Sequence, residues 1–312
     1  MENGPRPYDV ATVGNYTKDT IVTADGERHV DGGGFAYSAY VAAGLGCRVA
    51  AITRLAAADL HVVRNLERAG IDVFPVLTES STLMRLEYPT SNVDERILTV
   101  AATAGSLTPD QVRCVRARSY LVSASIRGEV PLEVIQTLRA TGATVSLDVQ
   151  GYVRVRRDDG RLEHAPWPEA AQVLGMVDIL KADAVEARSL SGLDDPVEAA
   201  RAIATLGPAE VLVTHREGVL VLAGGELYEA PFRPARLVGR SGRGDTCLGS
   251  YVATRLRLPP GEALLWAAAA TSLKLEGDGP FNRQISDVVD LIERSYAQGK
   301  GFPRAVAATT GK

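Results

Sequence analysis

The amino-acid sequence predicts an α/β fold, a mostly parallel sheet covered by helices on both faces with a small antiparallel flap inserted. Two observations predict it. Short apolar β-rich runs alternate with amphipathic helical runs, and two segments of polar–apolar alternation break that rhythm.

The strand-like runs are Tyr8–Gly14, Arg48–Thr53, Ser119–Ser123, Thr144–Val149, Val177–Leu180 and Val211–Thr214. They are continuously apolar, as strands buried on both faces are. The runs Phe35–Leu45, Asp59–Ala69, Pro131–Thr141, Ala184–Ser191 and Pro196–Leu206 read as amphipathic helices. The segments Ile21–Asp31 and Val73–Ala102 alternate polar with apolar residues and carry the turn signals Ala24-Asp25-Gly26 and Ser91-Asn92. They read as an antiparallel flap with one solvated face, set into a single domain spanning residues 1–312. Residues 305–312 read as a loose tail.

Composition narrows the function classes. With 312 residues, 46% of them hydrophobic, the chain has material for a full core. A net charge of −4 gives no electrostatic reason to expect nucleic acid or an anionic membrane as partner. Cys47, Cys114 and Cys247 lie far apart without CxxC spacing, so neither zinc nor a disulfide framework is implied. The N-terminus is polar and no stretch of about 18 apolar residues occurs, so the expectation is a cytoplasmic protein.

The most informative stretch is Gly239-Arg240-Ser241-Gly242-Arg243-Gly244-Asp245, which leads into the helical run Thr246–Leu256. Glycines let the backbone come close to a ligand, and a helix N-terminus presents unpaired N–H groups and the positive end of a dipole to an anion. Asp245 at that place fits two roles: a helix cap, or an acid that takes the proton of a hydroxyl attacking phosphorus. A second cluster, Asp31-Gly32-Gly33-Gly34, precedes the helical run from Phe35 and reads as a hinge or a binding loop. Gly14-Asn15-Tyr16-Thr17-Lys18-Asp19 ends the first strand, and ligands of open α/β sheets bind at such carboxyl ends.

These pieces, with Leu180-Lys181-Ala182-Asp183-Ala184-Val185-Glu186 and Val211-Leu212-Val213-Thr214, resemble in order and spacing the ribokinase-like (PfkB) carbohydrate kinases, from about Asp9 to Asp290. The resemblance implies a three-layer α/β/α sandwich. Ser146-Leu147-Asp148-Val149-Gln150-Gly151-Tyr152-Val153-Arg154, Ser272-Leu273-Lys274-Leu275-Glu276 and Gly279-Pro280-Phe281 look like a subgroup that includes myo-inositol kinases.

Carried onto this chain, the resemblance makes Asp245 the general base and the amides of Gly242, Arg243 and Gly244 the anion hole for the transferring phosphoryl group. Asp19, Gly33 and Gly34 hold the acceptor's hydroxyls. Asp148, Gln150 and Arg154 are candidates for the same pocket, with a strand-end Asp and a solvated Arg as the plain alternatives. Glu186, with Asp183 at the family's usual Asn position, acts on Mg²⁺-bound phosphates through water. Thr214 and Gly218 border the nucleotide, with Ala269 and Ser272 near the adenine. Lys181 points into this area or pairs at the surface.

Three departures stand out. Relatives carry Asp-Thr where Gly239 and Arg240 stand, and that Asp helps build a monovalent-cation site, so potassium is not expected to be required. Arg243 replaces a small residue and reaches either a phosphate or solvent. The segment Thr214-His215-Arg216-Glu217-Gly218 is one residue shorter than the family form.

Other classes lack their residues. No G-x-x-x-x-G-K-[ST] string, no Gly-x-Gly-x-x-Gly after the first strand and no Gly-x-Ser-x-Gly elbow occurs, and the four histidines form no close pair. The expected activity is therefore ATP-dependent transfer of the γ-phosphoryl group, with Mg²⁺, to a hydroxyl of a cyclitol such as myo-inositol, or of a sugar. A nucleoside kinase of the same fold and a non-catalytic ligand sensor are the alternatives. The flap serves as a monomeric lid or pairs with its copy in a homodimer.

Overall fold

The computed structural model describes residues 7–89, 97–239 and 241–296. The turn signal at Ser91-Asn92, the residue Arg240 and the tail at 305–312 lie outside the described residues.

In chain order, β1 (Tyr8–Val13) is followed by β2 (Thr17–Thr23), β3 (Gly26–Gly32), α1 (Gly34–Gly44), β4 (Val49–Ala56) and α2 (His61–Arg68). Next come β5 (Asp72–Thr78), β6 (Thr82–Glu87), β7 (Ile97–Ala102), α3 (Pro109–Arg113), β8 (Ala117–Val122), α4 (Leu132–Arg139) and β9 (Thr144–Asp148). A short stretch holds α5 (Gln150–Val153), β10 (Arg154–Arg156), β11 (Leu162–His164) and α6 (Ala170–Leu174). The chain continues through β12 (Ile179–Asp183), α7 (Ala184–Ser191), α8 (Pro196–Ala204), β13 (Glu210–Thr214), β14 (Gly218–Ala223) and β15 (Glu226–Pro231). The last helices described are α9 (Arg243–Arg255), α10 (Pro260–Leu275) and α11 (Ile285–Ser295).

Nine strands form one sheet in the order β15-β14-β13-β12-β9-β8-β1-β4-β5. Every pairing from β5 to β13 is parallel, while β13–β14 and β14–β15 are antiparallel. The central strands have no solvated face. Val10, Ala11 and Val13 of β1 are fully buried, with Val13 level with Ile52 on one side and Val122 on the other. One apolar layer joins Phe35, Ala39 and Val41 of α1 to Leu248 and Tyr251 of α9 and Ala267–Ala270 of α10. The opposite layer gathers Val134 and Leu138 of α4, Val173 of α6 and Ile203 of α8. The three-layer α/β/α sandwich expected from the sequence is present.

A second sheet has the order β3-β2-β6-β7. Its two hairpins are antiparallel, but β2 and β6 run parallel, so the flap is mixed rather than purely antiparallel. The crossover through β4, α2 and β5 returns β6 beside β2 in the same direction. The flap also begins at Thr17, ahead of the expected Ile21, and residues 72–78 do not belong to it. They form β5, the edge of the large sheet, paired with β4. An edge strand has a half-solvated pattern too, so alternation alone does not tell the two apart.

The helix expected from Thr246 begins three residues earlier. Gly242 is its N-cap at φ 74, a left-handed conformation that glycine adopts at no steric cost. The β14–β15 hairpin went unread although its turn, Gly224-Gly225, has the positive φ values of 58 and 83 that such a pair supplies.

Candidate active site

The glycine loop lies at the carboxyl ends of the central strands, where the strand order reverses between β1 and β8. Packing of α9 on α1 aims it there. A β-carbon on Gly249 would stand 2.8 Å from Ser38 Cα, and Ser38 Oγ donates to the Asp245 carbonyl at 3.0 Å. Tyr37 lies over Gly242 so closely that a side chain there would overlap its ring. The first α9 bond runs from the Thr246 N–H to the Gly242 carbonyl at 2.9 Å. The amides ahead of Thr246 thus form the open, positive end of the helix. Asp245 sits inside this first turn and is not the cap.

Asp245 shares the crevice with a buried ion cluster. Lys181, in the middle of β12, points its Nζ at Asp148 Oδ2 (3.0 Å) and Glu186 Oε2 (3.4 Å), and all three side chains are at most 4% exposed. A β-carbon on Gly244 would come within 2.7 Å of that Nζ, so the ammonium lies directly under the glycine loop. Burial works to lower the Lys181 pKa, but the carboxylates of Asp148 and Glu186 outweigh it and hold the group charged. Burial raises the Asp245 carboxyl above the ordinary carboxylate range, and Lys181 opposes the rise. A carboxylate so raised is a better proton acceptor than a solvated one.

The sequence-predicted residues divide accordingly. Asp148 has its oxygens on Lys181 and on the Gln150 amide (3.0 Å), which makes it a counter-ion beneath the loop. Gln150 is half-buried, and Arg154 is buried with its positive charge acting on Asp245. Asp183 and Glu186 form a reciprocal cap on α7, with Asp183 N–H to Glu186 Oε2 at 2.7 Å and Glu186 N–H to Asp183 Oδ1 at 2.8 Å. Glu186 is therefore sealed and fits Mg²⁺ only through intervening water, whereas Asp183 is partly exposed. Arg243 is half-buried in the first turn of α9, near enough to His215 for its charge to bear on that ring.

Thr214 ends β13 with a buried hydroxyl that has no partner among the described residues, and Gly218 opens β14 after a tight turn closed by His215 N–H to the Gly218 carbonyl at 2.9 Å. Ala269 and Ser272 are fully buried in α10. Ser272 Oγ donates to the Ala268 carbonyl at 2.6 Å and accepts from the Arg233 N–H at 2.8 Å, so both of its functions are in use.

At the glycine-rich turn before α1, Asp19 projects from β2 over Gly32, where a β-carbon would lie 2.5 Å from its Oδ2. Gly33, at φ 100, packs on the Asn15 carbonyl, with 2.7 Å to a β-carbon placed there. Gly34 faces Asp245 and Ser123. Sequence reasoning missed Glu129, which is 3% exposed and fastens these loops together. Its Oε1 accepts from the Asn15 amide at 2.6 Å and its Oε2 from the Ser125 amide at 3.0 Å. In Ser125-Ile126-Arg127-Gly128-Glu129 it reads as a surface turn, and no local signal marks it as buried.

Glycine amides at a helix N-terminus, a carboxylate beside them, cations beneath and a glycine-rich turn opposite are an arrangement suited to moving a phosphoryl group onto a hydroxyl. The model for the pfkB family carbohydrate kinases matches residues 9–282, and the chain belongs to that family. It is 26% identical over 258 residues to a cytidine kinase of Thermococcus kodakarensis, which covers 78% of this chain and 87% of the relative. A pyrophosphate-dependent kinase in the ribokinase family, solved with a pyrophosphate analog and myo-inositol, superposes with a TM-score of 0.83 at 28% identity, covering 90% of this chain and 99% of that one. A ribokinase of Arabidopsis thaliana solved with ribose and ATP shares the fold, with a TM-score of 0.74 at 21% identity over 92% of this chain and 99% of that one. Among the described residues no helix is long and apolar enough to cross a membrane.

Proposed function

We propose that this enzyme phosphorylates a hydroxyl of a cyclitol of the myo-inositol type, with inorganic pyrophosphate as the donor. The observation that carries the reaction is the placement of Asp245 within the first turn of α9, facing Gly34 and under the charge of Lys181. Asp245 takes the proton of the acceptor hydroxyl held between Asp19 and the Gly33–Gly34 backbone. The amides at the head of α9 receive the charge that builds on the moving phosphoryl oxygens, and Lys181 keeps the crevice from becoming too negative for an anionic donor. Bound Mg²⁺ would neutralise donor phosphates, with Asp183 and Glu186 reaching it through water. The flap of β2, β3, β6 and β7 acts as a lid that excludes water from the reaction.

The donor reading rests on Ala269 and Ser272. They are the residues that the family resemblance sets beside an adenine, and here both are fully buried, Ser272 with its hydroxyl accepting from the Arg233 N–H. Pyrophosphate needs only the phosphate end of the site, and a solved relative at 28% identity is pyrophosphate-dependent. ATP, expected from the sequence, is the other donor to test, supported by the unpartnered Thr214 hydroxyl at the end of β13.

A nucleoside acceptor is the second reading. A cleft of about 220 Å³ lined by Asp31, Tyr37, Tyr40, Val62, Asn65 and Pro280 offers an aromatic shelf beside the glycine-rich turn. A second cleft, of about 780 Å³ and lined by Val112, Arg113, Glu133 and Thr137 of α3 and α4, lies away from this chemistry.

The test is product formation followed by mass spectrometry for each donor against myo-inositol, hexoses, ribose, fructose 6-phosphate, cytidine and adenosine. Turnover with ATP and none with pyrophosphate overturns the donor reading. A nucleoside that exceeds myo-inositol tenfold in kcat/KM, about 1.4 kcal/mol of transition-state binding, overturns the acceptor reading.

A further inference from the structure

Two of the chain's five lysines, Lys181 and Lys274, are buried beside the glycine loop, and the reaction described above uses only the first. Lys274 lies in the last turn of α10, 3% exposed. Its Nζ donates to the Gly239 carbonyl at 3.1 Å and stands 5.9 Å from the centre of the Tyr37 ring, the same ring that closes over Gly242. The amides of Val238 and Gly239 bond the Leu275 carbonyl at 2.8 and 3.3 Å, so the segment leading to the loop is laid along the end of α10. On its other side Gly239 meets the turn after α10. A β-carbon there would stand 2.6 Å from the Gly277 carbonyl oxygen and 2.8 Å from Asp278 Oδ1.

This is the position where relatives carry the Asp of a monovalent-cation site. Here the carboxylate is gone, no side chain fits in its place, and a lysine ammonium already lies on the Gly239 carbonyl. A dissociable cation does not fit these residues, because Lys274 would repel it at close range. We propose that Lys274 is a positioning residue, a covalently attached cation that takes the place of a dissociable monovalent ion and holds the anion-hole loop in register. Its effect on turnover rests on the phosphoryl-transfer reading; its hold on the loop does not.

The groups facing Lys274 are Asp278 of the following turn, Asp245 of α9 and Tyr37 of α1. Burial lowers its pKa to about 8, and Asp278 and Asp245 limit the fall. The ammonium is thus carried at neutral pH and lost above pH 8. Arg28 of β3 pairs with Asp278 at 3.7 Å, which links the flap to the same turn.

The experiment compares melting temperature and turnover of the parent and of Lys274→Met in potassium, ammonium, sodium and tetramethylammonium salts at equal ionic strength. The parent should show no ion preference by either measure. Lys274→Met should lose turnover on the order of tenfold in tetramethylammonium with acceptor KM little changed. Potassium or ammonium should raise both its melting temperature and its kcat, saturably. A parent stabilised saturably by potassium overturns the proposal, and that melting arm holds even if Lys274→Met does not fold. A folded Lys274→Met with parental kcat overturns it as well. If the parent phosphorylates no acceptor, the functional reading fails while the melting comparison still decides the role of Lys274.

Discussion

Gly34 and Asp245 stand face to face. A β-carbon on Gly34 would overlap Asp245 Oδ1, lie 3.0 Å from its Cγ and 2.8 Å from the Ser123 β-carbon. The first residue of α1 therefore has to lack a side chain for the carboxylate of α9 to reach the crevice. On the proposed reading, an acceptor hydroxyl bound over the Gly33–Gly34 backbone would meet that carboxylate through the same contact.

Gly34→Ala should accordingly act on the reaction more than on the fold. The added methyl displaces Asp245, with an overpacking cost of about 1–3 kcal/mol and a loss of kcat on the order of 10²-fold. Steady-state kinetics alongside a denaturant titration measures both. Parental kcat would remove Gly34 from the site.

Asp245→Asn keeps the shape and removes the proton acceptor. A loss of kcat on the order of 10²-fold or more is expected, with binding of donor and acceptor little altered. The melting temperature should hold or rise, since a desolvated carboxylate is replaced by a neutral amide. Turnover within about threefold of the parent would exclude the general-base role.

Lys181→Met should leave Asp148 and Glu186 buried without their shared cation, at a cost of about 3–5 kcal/mol. Both carboxyls are already raised by burial, with Lys181 opposing the rise, so without the lysine they bind protons more readily still. The variant should therefore regain stability relative to the parent as pH falls toward 5, and adding Asp148→Asn should recover part of the loss. A Lys181→Met variant as stable as the parent at pH 8 would contradict the ion cluster.

Glu129 gives a pH signature of its own. Burial raises its pKa from 4.5 to about 7 against the backbone N–H groups of Asn15 and Ser125, which lower it. A folded pKa above the unfolded one means stability fully present below pH 4.5 and lost as pH rises through 7. The stability of the parent relative to Glu129→Gln should thus fall by roughly 2.5 kcal/mol between pH 5 and 8. Urea titrations across that range test it, and a constant difference would show that Glu129 does not titrate there.

The parallel strands β1, β4, β8, β9, β12 and β13 and the helices α1, α2, α4, α7 and α8 were legible because each lies inside or on one face of a layered core, and burial imposes a readable period on it. Gly242, Gly244 and Asp245 were legible as a motif because backbone approach to an anion demands glycine and a helix N-terminus within a few residues. Alternation could not separate β5 from the flap, since an edge strand and a lid strand have the same half-wet pattern.

What the sequence determined by itself was the fold class, the family and the glycine loop with Asp245 inside it. The tertiary structure alone decided which charges meet. Lys181 reaches Asp148 across 33 residues and Glu129 reaches Asn15 across 114, while Lys274 crosses 35 residues to the Gly239 carbonyl. A one-dimensional pattern records how each residue suits its own strand or helix. The energy of a buried charge depends instead on which partner lies a few ångströms away, and only the packing of the layers fixes that distance.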